Sequence, residues 1–303
     1  MGFDSTDEAS SMQIHGIIPP AVTPMKPNED VDLPRLHSFL DYLLEQGVHG
    51  IFVLGTNGEF FALDEYEKQQ IILEAVAHVR KRVPVVAGTG AESTREAIGL
   101  TKMAEREGAD GVSVITPYYV SPSQSELFDH HRGVAESTSL PVLLYNNPSM
   151  AGGVKIDPST VARLAEIPNI VGIKDSSGDL QNTNEYIRAA PDRFAVLQGR
   201  DTLIFPSLVC GARGAVPASA NVAARICVEI YEAFRRGDLD KAKAAQLRLN
   251  PIRLSLSLGT APGGVKAALK MLGISVGPSR SPIKPVEEAS LGRMRSALVE
   301  LGS

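Results

Sequence analysis

Cysteine is almost missing from this chain: only Cys210 and Cys227 occur in 303 residues. Two such residues form neither a disulfide framework nor the paired spacing of a zinc site. Both read as small buried apolar residues in a reducing cytosol. Surplus positive charge is missing too. Lys plus Arg number 30 against 35 Asp plus Glu, a net charge of −5, which excludes bulk attraction to nucleic acid as the basis of function. No apolar run approaches the roughly 18 residues of a membrane span. The opening MGFDSTDEASSMQ lacks the basic-then-apolar order of a secretion signal. The expectation is a cytoplasmic protein with no membrane or nucleic-acid partner, in which residues 1–12 are a disordered lead-in. No G-x-G-x-x-G follows any apolar segment, so a dinucleotide site is not indicated.

What is present is a 43% hydrophobic composition, ample for a large core. Short apolar runs recur at 16–22 (GIIPPAV), 50–54 (GIFVL), 84–87 (PVVA), 111–115 (GVSVI), 141–145 (PVLLY) and 170–173 (IVGI). Weaker ones lie at 194–197 and 214–216. Each is too short for a helix and lacks strict polar alternation, which suits strands buried on both faces of a parallel sheet. Helical stretches separate them at 33–46, 64–80, 93–106, 123–137, 157–165, 179–189, 201–208 and 221–236. In the first, Leu36, Leu40, Leu43 and Leu44 form one stripe and Gly47 follows as a stop. In the third, Ser93 and Glu96 have capping-box spacing. Eight strand–helix units without a linker predict an α/β fold, a closed (β/α)8 TIM barrel over 13–237, in preference to a doubly wound sheet. Residues 238–303 are expected to form a small C-terminal helical domain, with helices at 239–249, 264–272 and 285–301.

In such a barrel the active site forms at the carboxyl ends of the strands. Lys174 follows the apolar run 170–173, which starts its amine at the barrel mouth above an apolar wall. Burial disfavours a charged amine, and a neutral lysine attacks carbonyls to form Schiff bases. The alternative is a lysine bridged to a carboxylate, with Asp175 adjacent in sequence. Tyr145 closes the preceding strand, where a phenol can pass protons through a carbinolamine; a hydrogen-bonded aromatic plug is the alternative. Gly55-Thr56-Asn57-Gly58 offers free N–H groups and a hydroxyl in a tight turn, which suits a carboxylate or phosphate, although Gly and Asn also mark ordinary turns. Arg200 and Asp201 close strand seven, where they can select substrate hydroxyls. The six histidines, His15, His37, His49, His78, His130 and His131, do not close strands beside Asp or Glu. Most fall in helical stretches, where solvated or capping roles are expected and a metal is not. Gly88-Thr89-Gly90 reads as a turn, Gly263-Gly264 as a loop entering a helix.

Gly55-Thr56-Asn57-Gly58-Glu59, Tyr145-Asn146-Asn147-Pro148 and Gly172-Ile173-Lys174-Asp175 together resemble the dihydrodipicolinate synthase / N-acetylneuraminate lyase family in type, order and spacing. The resemblance runs from about Gly16 to Leu301. It implies a class I, Schiff-base aldolase on a barrel with a helical C-terminal domain, a homotetramer built as a dimer of dimers, with a small 2-oxo acid as substrate and no cofactor beyond the covalent imine through Lys174. By the same resemblance Tyr145 is the general acid/base. Thr56, with the amides of Thr56 and Asn57, holds the 2-oxo acid carboxylate and relays protons. Tyr119 reaches a neighbouring subunit's site, and Gly199 and Val216 line the pyruvate pocket. Gly55, Gly58, Met150 and Asp201 complete the expected substrate-binding set.

Departures from the family pattern bear on the substrate. Dihydrodipicolinate synthases carry a second Thr where this chain has Asn57, and an Arg where it has Met150. A methionine cannot supply the charged fork that such an Arg offers a carboxylate. Glu65 and Lys68 replace the histidines of lysine-inhibited members, so lysine feedback is not expected. The leading expectation is a pyruvate-dependent lyase acting on a hydroxylated 2-oxo acid of the 4-hydroxy-2-oxoglutarate or 2-keto-3-deoxy-sugar-acid type. The alternatives are 4-hydroxy-tetrahydrodipicolinate (dihydrodipicolinate) synthase, a 2-keto-3-deoxy-sugar-acid dehydratase using the same lysine, a metal-dependent aldolase or hydrolase, and a catalytically inactive barrel with a binding role.

Overall fold

A computed structural model describes residues 14–299; the expected lead-in at 1–12 and the last residues of the third C-terminal helix lie outside them. Eight parallel strands occur where the apolar runs stand: β1 (Gly16–Ile17), β2 (Ile51–Val53), β3 (Val85–Gly88), β4 (Gly111–Ile115), β5 (Val142–Asn146), β6 (Ile170–Asp175), β7 (Ala195–Gln198) and β8 (Gly214–Ala215). The hydrogen-bonded order is β1-β8-β7-β6-β5-β4-β3-β2. A parallel bridge between Pro20 and Phe52 joins the two ends and completes the (β/α)8 barrel. The first strand is shorter than the run 16–22 because Pro19 and Pro20 lack the N–H that a ladder needs.

The helices that cover the barrel are α1 (Leu33–Glu45), α2 (Glu65–Val79), α3 (Thr94–Arg106), α4 (Gln124–Ala135), α5 (Pro158–Leu164), α6 (Leu180–Ala189), α7 (Ile204–Val209) and α8 (Ala224–Arg235). Their starts follow local chemistry. Asp64 with Glu67 and Ser123 with Glu126 form complete capping boxes, and Ser93 accepts from the Glu96 amide. The basic run after α2 leaves the helix: Arg80 is its left-handed cap, and Lys81 and Arg82 pair with Asp110 and Asp41.

The two larger apolar clusters hold the layers. Ile14, Ile18, Phe52, Val86, Leu143, Leu197 and Val216 pack together inside the barrel, and the larger cluster lies between strands and helices. Cys227 is buried as expected, whereas Cys210, one residue past α7, is exposed. The histidines also depart from expectation: His130 and His131 are buried in α4, and burial pushes His130 down to about 4 and holds His131 well below its ordinary value.

Three further helices follow, α9 (Leu239–Leu256), α10 (Gly263–Met271) and α11 (Glu288–Val299). The first was expected to stop at residue 249, before Pro251. It continues through that proline for two more turns. The carbonyl deprived of its partner belongs to Leu247, a residue 60% exposed, on the solvent side of the helix. Gly263 and Gly264 belong to α10 itself, where a side chain on Gly264 would strike the Leu256 carbonyl at 2.0 Å.

Candidate active site

Strand pairing puts Tyr145 and Lys174 side by side. They are register partners on β5 and β6, with Leu197 of β7 opposite Lys174 on the other side. This pairing depends on a bulge: Val142 faces Ile170 but Leu143 faces Gly172, which leaves Val171 as an extra residue on β6. Because side chains alternate with period two, the extra residue is what puts Lys174 on the inward face that Tyr145 shares.

Lys174 is 3% exposed. Its Nζ lies 4.1 Å from the centre of the Tyr145 ring and 5.1 Å from that of Phe52. Among the described residues no carboxylate pairs with it. The neighbouring Asp175 faces the other way, accepting from Asn146 Nδ2 at 2.9 Å, Ser177 Oγ at 3.0 Å and Thr183 Oγ1 at 2.8 Å. The bridged alternative is therefore excluded for Asp175. The β6 strand also runs two residues further than the apolar segment, so both residues are held by ladder bonds.

The Tyr145 hydroxyl accepts from Asn147 Nδ2 at 2.9 Å and lies 3.4 Å from Thr56 Oγ1. Burial alone would push this phenol up. The adjacent Lys174 charge and hydrogen bonds from Thr56, Asn147 and Lys174 outweigh it, and the phenol sits below its ordinary value. Such a phenol is suited to exchanging protons with the amine beside it.

The turn after β2 begins with Leu54 at φ 58°, a left-handed conformation costly for leucine. Gly88 makes room for it, since a side chain there would meet the Leu54 carbonyl at 2.1 Å. That is the physical role of the Gly88-Thr89-Gly90 segment. Within the turn, the Gly58 amide closes on the Gly55 carbonyl at 2.9 Å and that of Glu59 on the Thr56 carbonyl at 3.2 Å. The amides of Thr56 and Asn57 donate to no group among the described residues. They are the free pair that a carboxylate would bind.

A cavity of about 380 Å³ is lined by Thr56, Asn57, Tyr145, Met150, Lys174, Gly199, Asp201 and Val216. Gly55 and Gly58 shape the turn from behind and do not line it. Tyr119 stands outside, 90% exposed, and adds nothing to the site within one chain. Asn147, Ser149 and Ser176 also line the cavity, as do Arg200, already noted beside Asp201, and a wall from the C-terminal helices that includes Arg253, Ser257 and Val265. Asn147 is legible in hindsight from its place two residues after Tyr145. Arg253 carried no signal, because α9 was expected to end before it. Among the described residues no group of three or more His, Cys, Asp or Glu is arranged to hold a metal ion, and no helix is long and apolar enough to cross a membrane.

The turn after β2 is tied to the C-terminal helices. Glu59 is fully buried and pairs with Lys266 of α10 at 2.6 Å, while its other oxygen accepts from the Arg280 amide at 2.8 Å. Lys266 also donates to the Pro278 carbonyl at 2.6 Å. Burial holds the Lys266 ammonium below its ordinary value although Glu59 favours the charged form. Arg280 forks onto Glu67, both contacts at 2.7 Å.

Residues 13–301 match the model of the family described as the dihydrodipicolinate synthetase family. A 4-hydroxy-tetrahydrodipicolinate synthase of Syntrophus aciditrophicus is 41% identical over 95% of this chain and 98% of its own. The crystal structure of dihydrodipicolinate synthase DapA-2 from Bacillus anthracis superposes with a TM-score of 0.91 at 38% identity, covering 94% of this chain and 97% of that one. YagE, a prophage protein of the same family from E. coli K12 solved in complex with pyruvate, superposes at 0.92 with 35% identity, covering 95% and 99%.

Proposed function

From the premise that this chain belongs to the dihydrodipicolinate synthetase family, and so is an enzyme of the carbon–carbon lyase class, we propose that Lys174 forms a Schiff base with pyruvate. The observation that carries this reading is a buried lysine without a carboxylate partner among the described residues, 4.1 Å from the ring of Tyr145 and in one cavity with Thr56 and Asn57, whose amides donate to none of those residues. The pyruvate carboxylate lies on those amides. Lys174 Nζ attacks the ketone carbon, and Tyr145, with Thr56 as relay, delivers the protons that turn the carbinolamine oxygen into departing water. The resulting iminium acidifies the pyruvate methyl group, and loss of a proton gives an enamine. Its carbon attacks an aldehyde, the new alkoxide takes a proton, and water hydrolyses the imine to release product and free Lys174. Cleavage is the reverse sequence. The complex of YagE with pyruvate supports the choice of 2-oxo acid.

Two outcomes share this chemistry. The names of the curated relatives favour 4-hydroxy-tetrahydrodipicolinate synthase, in which the aldehyde is aspartate semialdehyde, and they support it better than the lyase reading drawn from the sequence. Cleavage of a hydroxylated 2-oxo acid is supported by Met150, an uncharged side chain 54% exposed at the cavity rim. Borohydride reduction with pyruvate should add a mass increment on Lys174. No increment there ends the Schiff-base reading. Consumption of aspartate semialdehyde with pyruvate, compared with pyruvate release from 4-hydroxy-2-oxoglutarate, separates the two outcomes. The assembly proposed is a homotetramer in which exposed Tyr119 reaches a neighbouring site; a monomer by light scattering would refute it.

A further inference from the structure

Charge in the cavity above Lys174 is unbalanced. Its lining includes two guanidinium groups, Arg200 and Arg253, and one carboxylate, Asp201. Asp201 is 2% exposed, and its Oδ1 lies 3.4 Å from Arg253 Nε while its Oδ2 accepts from the Ser219 amide at 2.6 Å. Arg253 Nη1 donates to Ser257 Oγ at 2.6 Å. The guanidinium is thus held from two sides, and its Nη2 has no partner among the described residues. The Arg200 side chain forms no hydrogen bond or ion pair among the described residues either. One carboxylate can neutralise only one of these cations.

The pyruvate half cannot use them. Its ketone carbon is taken by Lys174 and its carboxylate by the amides of Thr56 and Asn57, so the arginines remain for the second reactant. Met150, on the loop after β5, brings no charge to that half of the cavity. We infer that Arg253 and Arg200 bind an oxyanion, carboxylate or phosphate, carried by the aldehyde half of the substrate, with Asp201 as the positioning residue that aims Arg253. This rests on the Schiff-base reading of Lys174. It assigns the substrate class as an anionic aldehyde, excludes neutral sugar aldehydes as preferred partners, and moves recognition of that anion from the β5 loop to the C-terminal helix α9. Guanidinium forks match the planar geometry of oxyanions.

Trapping on the full chain tests the carboxylate case without needing turnover. Borohydride reduction is carried out with 2-oxoglutarate and 2-oxoadipate, and with 2-oxopentanoate and 2-oxohexanoate, which keep the first carboxylate and lack the distal one. Condensation of pyruvate with glyceraldehyde 3-phosphate against glyceraldehyde supplies the phosphate arm. The expected result is half-maximal trapping at a roughly tenfold lower concentration for a diacid, or a roughly tenfold higher kcat/KM for the phosphorylated aldehyde. Whichever arm responds identifies the oxyanion. Arg200→Met and Arg253→Met should each erase that preference through the concentration dependence, measured relative to each variant's own trapping of pyruvate. Arg253→Lys, which does not strand buried Asp201, should keep part of it. Equal handling of probes with and without the second anionic group in both arms overturns this inference alone, as does a preference that survives both substitutions. Failure of pyruvate itself to trap overturns the Schiff-base reading and this inference with it.

Discussion

Two lysines of this protein are buried to the same degree and do opposite things. Lys174 at the mouth of β6 is 3% exposed and Lys266 on α10 is 4% exposed. Lys266 meets a fully buried carboxylate, Glu59, at 2.6 Å, and also a carbonyl. It fastens the turn after β2 to the C-terminal helices. Lys174 meets two aromatic faces and a phenol, with its neighbouring carboxylate committed elsewhere. Burial makes an amine sensitive to its partners; the partner decides whether it is fastened in an ion pair or left open to reaction.

Substituting the two lysines should break this comparison in opposite directions. Lys174→Ala is expected to lower turnover by at least about 10⁴-fold, with no pyruvate adduct after borohydride, and to leave the unfolding midpoint nearly unchanged. A stable adduct elsewhere in the chain would contradict it. Lys266→Met strands Glu59 in the interior, so a loss of about 3–5 kcal/mol is expected in denaturant titration. The adduct on Lys174 should survive in whatever fraction remains folded. Adding Glu59→Gln should recover part of that stability, because the unpaired charge is gone.

A subtler break is Tyr145→Phe, which keeps the ring over Lys174 and removes only the hydroxyl proposed to carry protons. Turnover should fall by roughly 10²–10⁴-fold with stability little altered. If imine formation, followed by stopped-flow trapping, stays at the wild-type rate, Tyr145 is not the proton carrier. The smallest effect concerns the clamp's second pair. Arg280 holds Glu67 below its ordinary 4.5, so this contribution to stability is complete above that pH and is lost as pH falls through the folded value. Arg280→Met should therefore flatten the acid side of the stability profile and leave the pH dependence of trapping unchanged. A matching shift in both would tie the clamp to catalysis.

Much of this was legible along the chain. Each strand appears where an apolar run stands, because segments buried on both faces must be apolar throughout. Asp64, Ser93 and Ser123 mark helix starts because their side chains satisfy amides that the helix leaves open. Lys174, Tyr145 and Thr56 stand out along the chain as candidates because strand ends are where such barrels place their active sites. Arg253 was not. Its helix passes through a proline that local rules treat as a stop, and only the exposure of Leu247 makes that passage tolerable. The buried state of His130 and His131 was equally hidden, since a helical stretch does not announce which face meets the core.

By itself the sequence determined which residues could carry the chemistry and at which strand ends they would stand, because strand and helix patterning are local. Tertiary structure decided who meets whom. One extra residue, Val171, turns Lys174 toward Tyr145 and leaves Asp175 among Asn146, Ser177 and Thr183. A helix that starts some forty residues beyond β7 brings Arg253 to Asp201. Register and long-range packing depend on the whole closed sheet and its wrapping helices, and no local window contains either.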